Sequence, residues 1–522
     1  MMDRQDGARD RLDKLQSWGL IDLLPLARRG VEREALRVQA DGVLSQEPHP
    51  PGLGSALMHP SITVDYSESQ LELVTSPAQS IPELFRELEM LHRFTVGELG
   101  DELMWCSSMP CHVPDPALIP IARFGTSNSG RMKHVYRQGL ARRYGRRMQI
   151  ISGVHYNFSF GRPFFEAIHA HARPAESIDD FISMTYLGII RNFLRHGWAL
   201  IYLFGASPAV SRTFTDQRVP WLGPLAEDTL EAPWGTSLRV SDLGYQSSAQ
   251  VDLVICFDTL VSYTRSIRKF MQIRHPDYDA MGVKVGGEYR QLRSTLLQGE
   301  NEDYSPIRPQ QPTRRGEKPV LALERRGLQY LEVRLLDVDP YHPLGISPEK
   351  AAFVEVFLLA CMLWDSPYFL GEECRKGARH RMEIARSGRD PSLRLPMDES
   401  QVTVREGLEQ LWPVLEAAAD CMDQAHGSTN YRSAVDQQAA VVADPQLLPS
   451  SRLLRELREG SDHVTRMLEL SHEHRTALSD ALDSETVSSM QELARRSHRE
   501  QADLEASDDI SFEEYLRRYY EG

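Results

Sequence analysis

The chain has 522 residues, 41% of them hydrophobic and 25% charged, proportions that exclude a disordered or collagen-like polymer. Its 74 acids against 59 bases give a net charge of −15. That balance excludes a general binder of nucleic acid or anionic membrane, because both partners demand a basic surface.

In chain order, the first segment, Met1 to Gln16, is charged and has no apolar core of the kind a secretory leader carries. Alternation of apolar and polar residues predicts strands over Val31–Val38 and Gln70–Thr75, and a 3.6-residue period predicts a helix over Ile81–Leu99. The small-residue run Gly125–Gly130 precedes seven bases and no acid between Arg131 and Arg147. Two readings stay open for it, a helix N-terminus offering N–H groups to an anion or a solvated basic face. Strand patterns return over Val154–Phe160, Val251–Phe257 and Gln329–Leu336, with a helix over Ile178–His196. Pro306, Pro309 and Pro312 make Ser305–Pro319 a loop in this reading, one whose Arg308, Arg314, Arg315 and Lys318 could reach over phosphates. Helical periods follow over Pro348–Trp364, Val404–Met422 and several segments after Ser450. The stretch Ala351–Trp364, interrupted by Glu355, is too short to span a bilayer. From Asp503 to Glu514 there are six acids and no lysine or arginine, which reads as a solvated edge or a frayed end.

Strands and helices do not alternate regularly, so an α+β fold with an antiparallel sheet and segregated helices is expected. Residues 1–440 form one catalytic domain in this reading, and 441–522 a helical extension packed on it. Six scattered cysteines without a CxxC pair suggest neither disulfides nor a zinc ribbon; reduced thiols and a cytoplasmic location are expected. P-loop, dinucleotide-binding, kinase and hydrolase-elbow signatures are absent. His472-Glu473-His474 lacks the spacing of a metalloprotease and reads as surface.

The polar faces carry the chemistry. Residues two apart on a strand share a face. Glu32 and Glu34 therefore point together, Glu72 points away from the apolar Leu71 and Leu73, and His155, Asn157 and Ser159 line one side. Tyr330, Glu332 and Arg334 oppose Leu331, Val333 and Leu335. Solvent faces usually mix both charge signs, whereas these carry Glu32, Glu34, Asp65, Glu72 and Glu332 with one histidine. If they converge, each like-charge pair at about 4 Å costs roughly 4 kcal/mol at an effective dielectric of about 20. Such repulsion must be relieved by protonation, arginine or divalent cations, and hard oxygen ligands without cysteine favour Mg²⁺ or Mn²⁺.

Several blocks also resemble a known family. Arg29-Gly30-Val31-Glu32-Arg33-Glu34, Gly125-Thr126-Ser127-Asn128-Ser129-Gly130-Arg131, Gln149 to Ser159, Leu203 to Pro208, Thr236 to Tyr245, Tyr304 to Pro309 and Tyr330-Leu331-Glu332-Val333-Arg334 are similar, in order and spacing, to proteobacterial glutamate–cysteine ligases. The resemblance implies a curved antiparallel sheet related to that of glutamine synthetase, a funnel surrounded by helices. It implies ATP-dependent joining of the γ-carboxylate of L-glutamate to the amine of L-cysteine through γ-glutamyl phosphate, the first step of glutathione synthesis. It implies about two or three Mg²⁺ or Mn²⁺ ions held by Glu32, Glu34, Asp65, Glu72, His155 and Glu332. Arg334 and Glu332 would be catalytic, and Tyr136, Arg137, Gln149, Arg239, Tyr245 and Tyr304 would bind substrates. A monomer open to glutathione feedback is expected, with no nucleic-acid or membrane partner. The rival readings are a ligase using another amine, a two-metal hydrolase, and a non-catalytic sensor. Cys111, which in some relatives is bridged, has no cysteine near His169 to pair with.

Overall fold

In the computed structural model the chain is described over residues 2–113, 115–244, 255–314, 316–369, 371–397 and 400–521. One antiparallel sheet organises it, built from β1 (Arg28–Val38), β2 (Ile62–Val64), β3 (Gln70–Val74), β4 (Leu103–Met104), β5 (Gly153–Ser159), β6 (Ile307–Gln310) and β7 (Tyr330–Asp337). The order across it is β6-β7-β5-β1-β3-β2, with β4 on the far end of β1. Non-sequential neighbours such as β5 beside β1 arise because helices fill the connections.

The apolar face of the sheet decides where those helices lie. Val31, Val154, Tyr156, Phe158, Leu331 and Val333 are buried on it. They join a core with α1 (Ile81–Glu98), α3 (Ile178–His196), α4 (Pro348–Leu363), α6 (Val404–His426) and α7 (Asn430–Ala443). A fully buried Leu or Phe contributes about 1.5–3 kcal/mol, so this face holds the sheet in place. The helices start where capping chemistry dictates: Ser80, Ser177 and Ser347 accept the third backbone N–H of α1, α3 and α4, and Thr403 with Glu406 forms a capping box on α6. The apolar run of α4 is buried on nearly every side, so it is the central core helix. Its one buried acid, Glu355, meets Arg29 of β1 through two contacts of 2.8 and 3.0 Å.

The other face of the sheet is crossed by α2 (Asn128–Tyr144) and flanked by α5 (Gly371–Ser387). The last helices are α8 (Pro449–Arg458), α9 (His463–Ala477), α10 (Ser484–Ala506) and α11 (Phe512–Glu521). No helix among the described residues is long and apolar enough to cross a membrane.

The α+β expectation holds, and the strands over 31–38, 70–75, 154–160 and 329–336 form within a few residues of their expected limits. Three expectations do not hold. Ser305–Pro319 is not wholly loop: Ile307–Gln310 pairs with β7, Pro309 facing Leu331. This is the sheet's edge, where a missing N–H leaves no ladder bond unmade. The strand expected over 251–257 falls partly on 251–254, outside the described residues, and Ile255–Phe257 form no strand. The acidic C-terminal stretch is neither frayed nor simply solvated. Phe512 and Leu516 are buried against Val135 and Leu292, Glu513 pairs with Lys284 at 2.6 Å, and Glu505 and Asp508 accept backbone N–H groups of Thr126 and Asn128.

Candidate active site

The register brings the acidic faces together. Glu34 lies opposite Glu72 across β1 and β3, and Glu32 opposite His155 across β1 and β5. Glu332 lies opposite Asn157 across β7 and β5. Asp65 follows the last residue of β2. These residues line one cleft of about 590 Å³, together with Tyr136, Arg137, Gln149, Arg239, Tyr304 and Arg334. Tyr245, also expected there, lies outside the described residues.

Within the cleft, Glu32, Glu72 and His155 offer ligand atoms all within 4.8 Å of one another. His155 Nδ1 is 3.1 Å from Glu32 and 3.4 Å from Glu332, and its Nε2 is 3.7 Å from Glu34. Asn157 donates to Glu32 at 2.8 Å, and the Gly153 N–H donates to Glu34 at 2.7 Å. Gly153 is required by space: a Cβ there would lie 2.1 Å from the Arg239 guanidinium.

A β-bulge aims the key arginine. Between Val333 and Leu336 the register with β5 shifts, so that Arg334 and Leu335 share the span that His155 occupies alone on β5. Bulges re-aim side chains beside functional sites. Here Arg334 donates to Glu332 and Leu335, assigned by alternation to the core side, also borders the cleft.

Electrostatics divides the carboxylates into two groups. Burial, with repulsion from Glu32, Asp65 and Glu34, holds Glu72 well above the usual carboxylate range. Burial also raises Glu34, against the pull of His155. Glu332 goes the other way: burial alone would raise it, but Arg334, His155 and Arg308 outweigh that and hold it at about 2. A cluster in which one member is neutralised by arginine and others are pushed toward protonation is compatible with a bound cation.

The substrate-binding expectations come out unevenly. Gln149 is buried with its Oε1 accepting from Tyr304 at 3.3 Å, and its Nε2 has no partner among the described residues. Arg137 sits 4.0 Å from Asp65 and over the Phe124 ring. Arg239 donates to the Arg334 carbonyl at 2.7 Å. The basic 131–147 segment is mostly spent internally: Arg143 pairs with Glu302, Arg147 with Asp216, and Arg131 lies over Phe512. The Gly125–Gly130 loop does bind anions, but they are Glu505 and Asp508 of the same chain. Gly125 has φ 77°, and a Cβ there would strike Glu505. Of the proline-loop cations, Arg308 lines the cleft, Lys318 lies over the Tyr519 ring at 5.5 Å, and Arg315 is outside the described residues. His472 and Glu473 are exposed, as expected, but His474 is half-buried, and burial first holds its pKa down to about 4.

Sequence reasoning missed several wall residues. Gln310 of β6 donates to Glu332, but its prolines disguised the strand. Lys133, held down to about 8 by burial and by Arg137, belongs to the cleft although it was counted only in a basic run. Arg381, Tyr519 and Tyr520 also line it, from helices that carry no local sign of a site.

Comparisons agree with this geometry. A sequence profile of the glutamate–cysteine ligase family matches residues 12–384. A glutamate–cysteine ligase from Azotobacter vinelandii is 44% identical over 95% of each chain, and one from Bordetella petrii is 43% identical over 98% of this chain and 97% of its own. Among solved structures, glutamate–cysteine ligase from Francisella tularensis in complex with AMP superposes with a TM-score of 0.90 at 38% identity, covering 95% of this chain and 97% of that one. A bifunctional glutathione synthetase from Pasteurella multocida has a TM-score of 0.70 at 26% identity, covering 88% of this chain and 54% of that one. Fold and site define an ATP-dependent carboxylate–amine ligase. Within that class, the chain belongs to the glutamate–cysteine ligase family.

Proposed function

We propose that the cleft joins glutamate and cysteine by way of γ-glutamyl phosphate, with the roles of its residues divided as follows. Glu32, Glu34, Asp65, Glu72, His155 and Glu332 hold divalent cations. The donor set fits: hard oxygens, one imidazole, no thiolate, and a strained Glu72 that a cation relieves. Bound Mg²⁺ or Mn²⁺ would screen the charge between phosphate and carboxylate and favour in-line phosphoryl transfer.

The chain's own residues do the rest. Arg334, re-aimed by the bulge and fixed on Glu332, offers a planar fork to the transferred phosphoryl group and to the charge that develops on it. The glutamate γ-carboxylate attacks the terminal phosphorus, ADP leaves, and the acyl phosphate forms. The neutral amine of cysteine then attacks the acyl carbon and expels phosphate. Tyr136, Gln149 and Tyr304 line the acceptor end in this reading. The Gln149 amide supplies a donor, and Tyr304 keeps Gln149 in place. Arg137 and Arg239 complete the substrate contacts, and the resemblance to the family assigns Tyr245 to the acceptor end as well. Packing by tyrosines sorts cysteine from near-isosteres by only about 1–3 kcal/mol. The same reading treats 441–522 as an extension of the 1–440 catalytic unit, and the enzyme as a cytoplasmic monomer subject to glutathione feedback.

The convergence of the acidic strand faces with His155 and Arg334 in one cleft carries this proposal. Its test is ADP release by the purified protein with Mg²⁺, ATP and L-glutamate, with and without L-cysteine, and with 2-aminobutyrate as the thiol-free control. Dependence on both glutamate and cysteine, with γ-glutamylcysteine found by mass, is the expected result. Equal turnover with another amine would change the acceptor, and no turnover with any amine would sink the assignment.

A further inference from the structure

Arg381 stands apart from the other cleft arginines. Arg334 is held by Glu332, Arg137 faces Asp65, Arg308 lies opposite Glu332 across β6 and β7, and the charge of Arg239 acts on Glu34 and Asp337. Arg381 also borders the cleft, yet among the described residues no carboxylate lies within ion-pair reach of it. Its one acceptor among the described residues is the Leu194 carbonyl, which takes Nη1 at 2.6 Å. Leu194 sits in the last turn of α3, where carbonyls lack helical partners. Capping that carbonyl accounts for one of five N–H donors and holds the guanidinium still. Burial lowers the affinity of Arg381 for its proton, to about 10, with only Cys374 acting against it, so at neutral pH it remains a cation whose charge is unmet.

The surroundings are rigid. Thr236 and Ser237 donate their N–H groups to the Ala385 carbonyl at 2.9 and 3.2 Å, and Arg386 pairs with Asp242. These contacts dock the C-terminal half of α5 on the segment that carries Arg239. Gly377 allows the close approach to α3, for a Cβ there would lie 2.9 Å from the Leu194 carbonyl. A half-buried guanidinium at the wall of a cleft, held at one N–H and within ion-pair reach of no described carboxylate, is a preorganised receptor for anionic oxygen.

We propose that Arg381 is a substrate-binding residue that takes an anionic oxygen group, either a phosphate of the nucleotide or the α-carboxylate of an amino acid. This rests on the ligase reading of the cleft. The test compares wild type with R381M and R381K, by steady-state kinetics and by calorimetric titration with MgATP, inorganic phosphate, L-glutamate and L-cysteine. R381M should raise KM and weaken binding for one substrate by about 10- to 100-fold, with R381K recovering part of the loss. A rise confined to ATP, with weakened phosphate binding, assigns the phosphate; a rise confined to glutamate or cysteine assigns that carboxylate. Unchanged affinity and KM for every probe, or a lowered Tm with all KM values intact, would overturn the proposal and leave Arg381 as a cap on α3. Wild-type turnover measured alongside separates the two failures. An active wild type with an indifferent R381M defeats this inference alone, and an inactive wild type defeats the ligase reading, while the titrations still report on Arg381.

Discussion

The two faces of the sheet bury charge in opposite ways. Behind it, Arg29 and Glu355 are fully buried, but their two contacts run in parallel, and the hydroxyls of Tyr156 and Tyr431 donate to the same carboxylate at 2.6 and 2.9 Å. In front of it, the carboxylates on β1, β3 and β7 share one histidine and Arg334, and Glu72 is driven toward protonation by burial and then by its acidic neighbours. A buried pair whose hydrogen bonds are all met belongs to the architecture. An under-compensated cluster open to a cleft belongs to function, since what completes it must arrive from solution.

The largest expected effects lie on the front face. Glu32→Ala, Glu332→Ala and Glu72→Gln should each reduce turnover by about 10³-fold or more, since they remove the proposed cation ligands (or, for Glu332, also the anchor of Arg334). For Glu72→Gln the metal-free protein should at the same time melt at a higher temperature, because a repelling charge has gone. Steady-state assays and calorimetric melting check both halves. Full activity at ordinary Mg²⁺ in any of the three would remove that residue from the ligand set.

On the back face the expectation is reversed. Arg29→Met leaves Glu355 buried and unpaired, a cost of about 3–5 kcal/mol, with kcat of the folded fraction unchanged. Urea unfolding measures the loss. A double Arg29→Met, Glu355→Leu variant should regain much of it, and failure to do so would mean that the tyrosine hydroxyls, not the ion pair, dominate the site.

How much of this contrast was legible in the chain follows from the range of the forces involved. Alternation is local, so Glu32, Glu34, Glu72, His155 and Glu332 could be assigned to faces from their own strands. Their meeting depends on strand order, which no local pattern encodes. Resemblance to a family supplied it. The bulge at Arg334 left no trace in the alternation, and β6 was hidden because proline excludes a central strand and only the edge position admits it. Tyr519, Tyr520 and Arg381 were invisible for a different reason. They are ordinary helix residues whose neighbours are set by packing between helices far apart in sequence.

A middle-sized effect sharpens the front face. Arg334→Lys keeps the charge but loses the planar fork, and should lower kcat by about 10- to 100-fold with smaller changes in KM. Unchanged kcat would assign Arg334 to holding Glu332 alone, and the bulge would then be a structural detail rather than an aiming device.

The smallest effect tests an exception on the back face. Arg33 is buried there, its Nε and Nη1 without partners among the described residues, and near it His92 is fully buried, burial first and Arg33 second holding its pKa down to about 3. His463, also fully buried, is held at about 4 by burial. A histidine whose folded pKa is depressed stays neutral in the native state while the unfolded chain takes up a proton below about pH 6.5. Its contribution is therefore whole above pH 6.5 and is lost as the pH falls toward the folded pKa, at roughly 1.4 kcal/mol per pH unit for each such group. Urea midpoints between pH 7 and pH 5 should show this slope, and His92→Leu should remove one proton's share of it. Arg33→Met should stabilise the protein slightly, since burial outweighs the attraction of Glu34 for that charge, and should leave most of the slope in place because burial dominates. If the slope instead collapses in Arg33→Met, Coulomb repulsion across the back of the sheet outweighs desolvation, and the two faces differ less than their hydrogen bonding implies.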